Sequence, residues 1–465
     1  MQTTPSERTS TSAPSPRARG GAAPPGDYEL PFVGSSVALA RDPLGFLERI
    51  SRRHGDALQF GAFGQRVYLF NHPDAIEQML VGARDHLIKD KLTRDLSLLL
   101  GNGLLVSQGA FWRKQRRLAQ PAFHRSRVEA YGEVMVRYAE QAVAGWRDGE
   151  TRDVHRDMMR LTLDVVAKTI FDVEIGAVAR QIERALEIVL HRFEGANSFL
   201  PIGLPTPGNR RTRRAVAELD VIVYDLIRQR RESGDRGDLL SMLLAASADD
   251  GSTADDVSIR DEALTLLLAG HETTALTLTF AWHLLGAHPA ALARLEAEID
   301  DVLGDRPAGP GDLPKLRYAE GVVRESMRLY PPAWAIGREA TSPCEIGGYE
   351  IAPGTQLWAS QWVVHRDARW FPEPLAFRPE RWANDWAKTL PRHAYFPFGG
   401  GPRVCIGNAF AMMEAVLLLV TIARRFRLTS ADRRPLGLTP SVTLRPTRAV
   451  SMVCSARPGA GRVEA

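Results

Sequence analysis

Seven segments with a 3.6-residue apolar repeat follow one another between residues 109 and 304: 109–119, 127–147, 153–171, 179–195, 211–234, 257–287 and 290–303. A chain that gives so much of its middle to helices must bury them chiefly against one another. Further helices are expected over 43–53 (PLGFLERISRR), 316–330 and the strongly apolar 406–425. The second of these ends at Pro331-Pro332, where a helix cannot continue. Pro201, Pro205 and Pro207, with Gly203 and Gly208, mark a loop between two of the long helices. Strand signals are short. Residues 57–70, with glycines at 61 and 64, suit a hairpin, and 345–360 (EIGGYEIAPGTQLWAS) reads as another. The expected fold class is mainly α with small β-sheets (α+β). No Ser/Pro/Gly-rich seam divides the chain after residue 27, so a single large domain is expected over 28–458. It would lie between a disordered Ser/Pro/Arg-containing tail, 1–27, and a short tail, 459–465.

Composition removes several classes of function. With 59 Lys+Arg against 55 Asp+Glu the net charge is only +4, which by itself does not argue for a nucleic-acid partner. No run approaches the roughly eighteen apolar residues of a membrane span, so no membrane anchor is expected. The first 26 residues lack the apolar stretch of a signal peptide. The three cysteines, 344, 405 and 454, form no CxxC pair and cannot build a disulfide scaffold. A reducing, cytoplasmic setting is the simplest expectation.

The most informative segment is Phe398-Gly399-Gly400-Gly401-Pro402-Arg403-Val404-Cys405-Ile406-Gly407. A thiolate at Cys405 would sit just before a helix, whose N-terminal partial positive charge favours an anion. Three glycines let the backbone come close and turn N–H groups toward sulfur, and such donors tune a thiolate bound to a metal. Arg403 is placed to pair with a carboxylate of a bound group, and Gly407 leaves room for a flat cofactor. A phosphate-cradling loop is the competing reading, but no GxxxxGK[ST] is present. Cys344 and Cys454 have no comparable surroundings and read as inert buried thiols.

Phe398-x-x-Gly401-x-Arg403-x-Cys405-x-Gly407 resembles the haem-binding signature of the cytochrome P-450 superfamily. Three further segments stand in that family's order. Glu325-Ser-Met-Arg328 followed by Phe377-Arg378-Pro379-Glu380-Arg381-Trp382 resembles its ExxR helix and meander, which implies a buried charge triad of Glu325, Arg328 and Arg381. Ala269-Gly270-His271-Glu272-Thr273-Thr274 resembles the oxygen-activation motif, with Gly270 permitting a local widening of the helix and Glu272 and Thr273 supplying an acid and a hydroxyl. The alternative of a zinc HExxH fails, because the position for its second histidine, 275, is alanine. Trp112-x-x-x-Arg116 and Arg338 match positions that contact the haem propionates.

The resemblance implies a cytochrome P-450 fold and a haem-thiolate monooxygenase holding haem b (iron protoporphyrin IX) through Cys405. It would insert one atom of O2 into a C–H bond of a hydrophobic small molecule, such as a terpenoid, fatty acid or polyketide. Without a flavin, nicotinamide or iron–sulfur motif, electrons would come from a ferredoxin and its NAD(P)H-dependent reductase. Arg113, Lys114, Arg116 and Arg117 would face such an acidic carrier, whereas Arg210, Arg211, Arg213 and Arg214 read as a solvated face. The substrate pocket would draw on 90–106, 196–208, Leu266 and Leu267, Ala333, Trp334, Ile336 and Val442. A peroxygenase or isomerase of the same fold, or a non-catalytic haem sensor, are the competing functions.

Overall fold

The helix Asp256–Ala287 is apolar on nearly every side, so it cannot lie on a surface and becomes the axis of the molecule. The computed structural model describes residues 23–27, 34–194, 204–246, 255–432 and 434–457. Most of the expected N-terminal tail, all of 459–465 and residues 196–203 of the proline-rich loop lie outside the described residues. Threonines inside the long helix satisfy their hydroxyls on carbonyls four residues back: Thr273 on Ala269 at 2.7 Å, Thr277 on Thr273 at 2.9 Å and Thr279 on Ala275 at 2.7 Å. Val154–Phe171 packs along it, with Thr162 Oγ1 donating to the His271 carbonyl at 2.9 Å, and at Gly270 the fit is tight enough that a Cβ would meet Val166 at 3.1 Å. The helix runs on unbroken through Gly270, so the expected local widening is not seen; that glycine serves close helix packing instead.

One apolar cluster joins the long helix to Arg125–Ala144, Pro289–Leu303, Arg317–Leu329 and Asn408–Arg425. A second gathers Ala179–His191, Pro207–Ser233 and Leu239–Ala246 on another side of it. No helix among the described residues is long and apolar enough to cross a membrane.

Among the described residues the main sheet has six strands in the spatial order Gly26–Asp27, Ala57–Ala62, Gln65–Phe70, Gln356–Ala359, Ile336–Ala340, Leu87–Lys89. The expected 57–70 hairpin is present, with Ala57 opposite Phe70 and Ala62 opposite Gln65. The segment 345–360 is not one hairpin. Cys344–Ile346 and Tyr349–Ile351 pair with each other, and the chain then leaves to place Gln356–Ala359 in the main sheet between Gln65–Phe70 and Ile336–Ala340. Thr151–Asp153 pairs with Ser451–Ala456, itself paired with Phe426–Ser430. A last hairpin, Leu438–Pro440 with Leu444–Pro446, turns at residues 441–443.

Candidate active site

Cys405 sits in the turn before the helix Asn408–Arg425. Its own N–H donates to the Phe398 carbonyl at 3.0 Å, which closes the loop back on itself. Gly401 makes the turn possible: its φ is +65°, and a Cβ would lie 2.3 Å from the Leu80 carbonyl oxygen. Protein surrounds the sulfur, and it is accessible from the cavity that it lines. Burial pushes the thiol up, while the Gly407 N–H and the charge of Arg116 favour the thiolate.

Arg403 donates to the Ser107 carbonyl at 2.8 Å and to Gln108 Oε1 at 2.9 Å, with its guanidinium stacked on Trp112. Arg116, expected at the propionates, donates to the Val404 carbonyl at 2.8 Å, next to the cysteine. Arg338 stands on Ile336–Ala340 directly opposite Lys89 in the antiparallel pairing. Among the described residues, none of Lys89, Arg116, Arg338 and Arg403 makes an ion pair, and all four line one cavity. Burial, together with repulsion from Arg338 and Arg116, brings Arg403 down to about 10. Burial, with repulsion from Arg338 and Arg403, holds Lys89 well below the usual lysine range. Lys89 was missed in the sequence, where nothing in Leu-Ile-Lys distinguishes it from an edge-strand lysine.

The cavity encloses about 400 Å3. Leu266, Ala269, Gly270, Glu272 and Thr273 of the long helix line it, as do Phe398 and Gly407. Thr273 is open to the cavity, and its hydroxyl proton is engaged by the Ala269 carbonyl, which leaves its lone pairs available. Glu272, only 1 % exposed, is held by Thr443 Oγ1 at 2.6 Å and by Arg445 Nε at 2.6 Å, both on its Oε1. Of the expected pocket residues, Leu266, Ala333, Ile336 and Val442 lie on the wall, with Leu96, Leu104 and Leu105 from 90–106. Trp334 does not. Its indole packs into the cluster of Leu276, Phe280 and Trp362, and its Nε1 donates to the Ser441 carbonyl at 2.8 Å. The chain is extended there, so Ala333 and Ala335 face the cavity while the residue between them turns away. Leu267 likewise points from the long helix into the second apolar cluster.

Glu325, Arg328 and Arg381 come together as expected, the first two completely buried. The carboxylate accepts from Arg328 Nη2 at 2.8 Å and Nε at 2.9 Å, Arg381 Nε at 3.0 Å, Trp382 Nε1 at 2.9 Å and the Arg378 N–H at 3.0 Å. Arg328 also donates to the His365 carbonyl at 2.9 Å, and the ring of His365 accepts the Phe396 N–H at 3.0 Å. His365, another residue not singled out from sequence, thereby ties the triad to the strand of chain that leads into the cysteine loop.

The donor set fits a thiolate-bound haem. One sulfur opens into an apolar cavity, and among the described residues four basic side chains on its wall make no ion pair, Asp90 acting on Lys89 and Arg338 only from a distance, while Ser107 Oγ and Gln108 Nε2 beside Arg403 are buried and unpartnered. Two buried propionates would supply the missing charge.

Comparison with known proteins agrees. A family model described as Cytochrome P450 matches residues 24–451. Cyclooctatin synthase of Streptomyces melanosporofaciens is 42% identical over 434 residues, covering 91% of this chain and 92% of that protein. Pentalenene oxygenase of Streptomyces avermitilis is 36% identical, covering 88% and 92%. The crystal structure of the cytochrome P450DA heme domain superposes with a TM-score of 0.84 at 27% identity, covering 94% of this chain and 98% of that one. The chain belongs to the cytochrome P450 family, whose members hold haem iron through a cysteine thiolate. Its activity is that of a monooxygenase, an oxidoreductase that incorporates oxygen from O2.

Proposed function

We propose that this enzyme hydroxylates a cyclic terpenoid, using haem b and electrons from a ferredoxin and its NAD(P)H-dependent reductase. The observation that carries the reading is the single cavity onto which Cys405, Thr273 and an apolar wall of Leu96, Leu104, Leu266 and Val442 all open. Such a wall offers shape and hydrophobic contact with few polar anchors, which suits a hydrocarbon skeleton. Cyclooctat-9-en-7-ol 5-monooxygenase of Streptomyces melanosporofaciens, 41% identical over 408 residues, and the pentalenene oxygenase support the same substrate class.

Cys405 would hold the iron, with Arg338, Arg403 and Lys89 at the propionates and Trp112 bracing Arg403. Bound in this way, haem supplies dioxygen activation and transfer of one oxygen atom to carbon, the other leaving as water. The chain's own residues manage position and protons. Apolar side chains seat the substrate and exclude bulk water. Thr273 accepts hydrogen bonds from water in the cavity, and Glu272, the residue before it, holds or releases a proton at its carboxylate. Arg113 and Arg117 are exposed on the helix Gly109–Ala119, whose Arg116 touches the residue before Cys405. That surface would receive an acidic carrier within reach of the thiolate.

Titration of the purified holoprotein with a panel of cyclic terpene hydrocarbons and alcohols, fatty acids and macrolides tests the substrate class. Low-spin to high-spin conversion of the haem is expected with members of the first group. Conversion confined to fatty acids or macrolides would overturn the reading.

A further inference from the structure

The hairpin formed by Leu438–Pro440 and Leu444–Pro446 meets Glu272 and the substrate cavity with the same few residues. Val442 and Thr443, in its turn, lie on the cavity wall. Thr443, at the end of the turn, and Arg445, on the strand that follows, point to one side and both donate to Glu272 Oε1, while Leu444 between them points the other way and is completely buried. A slip by one residue would therefore expose Leu444 and strip Glu272 of both donors. The turn has three further ties: Trp334 Nε1 to the Ser441 carbonyl at 2.8 Å, Ser441 Oγ to the Phe193 carbonyl at 3.2 Å, and the Leu444 N–H to the Pro332 carbonyl at 2.9 Å.

The other titratable groups near Glu272 are His155, on Val154–Phe171, and His271, its neighbour on the long helix. Burial lowers both, His271 to about 4, so both are neutral at physiological pH. Among the described residues, Arg445 is the cation paired with Glu272.

We propose that Arg445, assisted by Thr443, is the positioning residue for proton delivery: it holds the Glu272 carboxylate in its working place and makes that place depend on how the hairpin is seated against the substrate. The proposal rests on the monooxygenase reading and on Glu272 as its proton donor. A substrate that presses on Val442 acts on the turn that also fixes the carboxylate. Removing the cation leaves a buried carboxyl with only a hydroxyl for company, so it is no longer fixed in that place.

The test uses the holoenzyme with NADPH and a plant-type ferredoxin and reductase, first without added substrate. NADPH oxidation is measured in H2O and D2O for the natural enzyme, Arg445→Gln, Arg445→Lys, Thr443→Val and Glu272→Gln. Glu272→Gln is expected to slow oxidation about 100-fold, and Arg445→Gln about 10-fold, each with an enlarged solvent isotope effect. Arg445→Lys restores most of the rate, and Thr443→Val loses about 3-fold with the same change in isotope effect. The carbon monoxide spectrum of the reduced protein stays normal throughout. Infrared difference spectra against Glu272→Gln are expected to show the carboxyl stretch of Glu272 displaced in Arg445→Gln relative to the natural enzyme. If Glu272→Gln is slow while Arg445→Gln keeps the natural rate, isotope effect and infrared spectrum, the proposal is wrong and the underlying reading survives. If Glu272→Gln changes nothing, the underlying reading fails. Should Arg445→Gln not fold, Thr443→Val, which removes only a hydroxyl, decides with the same signs. Val442→Trp, crowding the turn from the cavity side, is expected to enlarge the isotope effect; an unchanged value would overturn the dependence on hairpin seating.

Discussion

The guanidinium of Arg403 lies 3.9 Å from the centroid of the Trp112 ring, which clamps the cysteine loop to the helix Gly109–Ala119. The two side-chain hydrogen bonds of Arg403 fix its plane, so the indole supports a cation already aimed at the cavity. A stacked pair of this kind contributes about 0.5–2 kcal/mol. Trp112→Leu should therefore release haem to a scavenger protein roughly 2- to 30-fold faster than the natural enzyme. An unchanged rate of loss would show that Arg403 holds its place without the ring.

Glu325 gathers five donors while wholly buried, so its removal leaves Arg328 and Arg381 facing each other with no anion. The cost of such a stranded charge is about 3–5 kcal/mol, comparable with much of a domain's stability. Because Arg328 connects through His365 to Phe396, the damage should reach the cysteine loop. Glu325→Ala is expected to yield no folded, haem-loaded protein, read as Soret absorbance per chain and as loss of the cooperative melt. Normal haem content would contradict the role given to the triad.

Two further buried carboxyls set a pH dependence. Burial raises Glu414 from 4.5 to about 8 and Glu262 from 4.5 to about 7. Among the described residues no hydrogen bond closes on either oxygen of Glu414, and the nearby Thr274 hydroxyl offsets its burial only in part, whereas Glu262 Oε2 accepts the Leu104 N–H at 3.1 Å and helps pin the segment that carries Leu104 and Leu105 to the cavity. In both cases the folded protein keeps a proton that the unfolded chain releases above 4.5. The associated stability is complete below 4.5 and is lost as pH rises toward about 7 for Glu262 and about 8 for Glu414. Melting temperature should fall across that interval, and Glu414→Gln, which cannot ionise, should flatten the fall and melt higher than the natural protein at pH 8. A profile unchanged by Glu414→Gln would exclude this origin.

What was legible in the sequence follows from the range of the interaction concerned. Helices with one polar face declare their period, and those over Gly109–Ala119 and Val154–Phe171 lie close to their expected bounds, while Asp256–Ala287, apolar on nearly every side, is told from a strand by its length. Leu239–Ala246 (LLSMLLAA) escaped because an apolar residue on every side gives no period. Thr151–Asp153 escaped because its strand character comes only from pairing with Ser451–Ala456. Among site residues, those in compact motifs were visible. Lys89 acquires meaning only from its register opposite Arg338, and Arg445 only from a partner 173 positions away. Trp334 was expected on the cavity wall because its neighbours are there, yet alternation along an extended segment turns it into the core.

Every role proposed for the cavity depends on sulfur from Cys405 reaching iron, and reduction of the purified enzyme under carbon monoxide reads that bond directly. A strongly red-displaced Soret band that disappears in Cys405→Ser is the predicted result. A band at the position of nitrogen-ligated haem in the natural enzyme, or an unaltered band and turnover after the serine replacement, would contradict it.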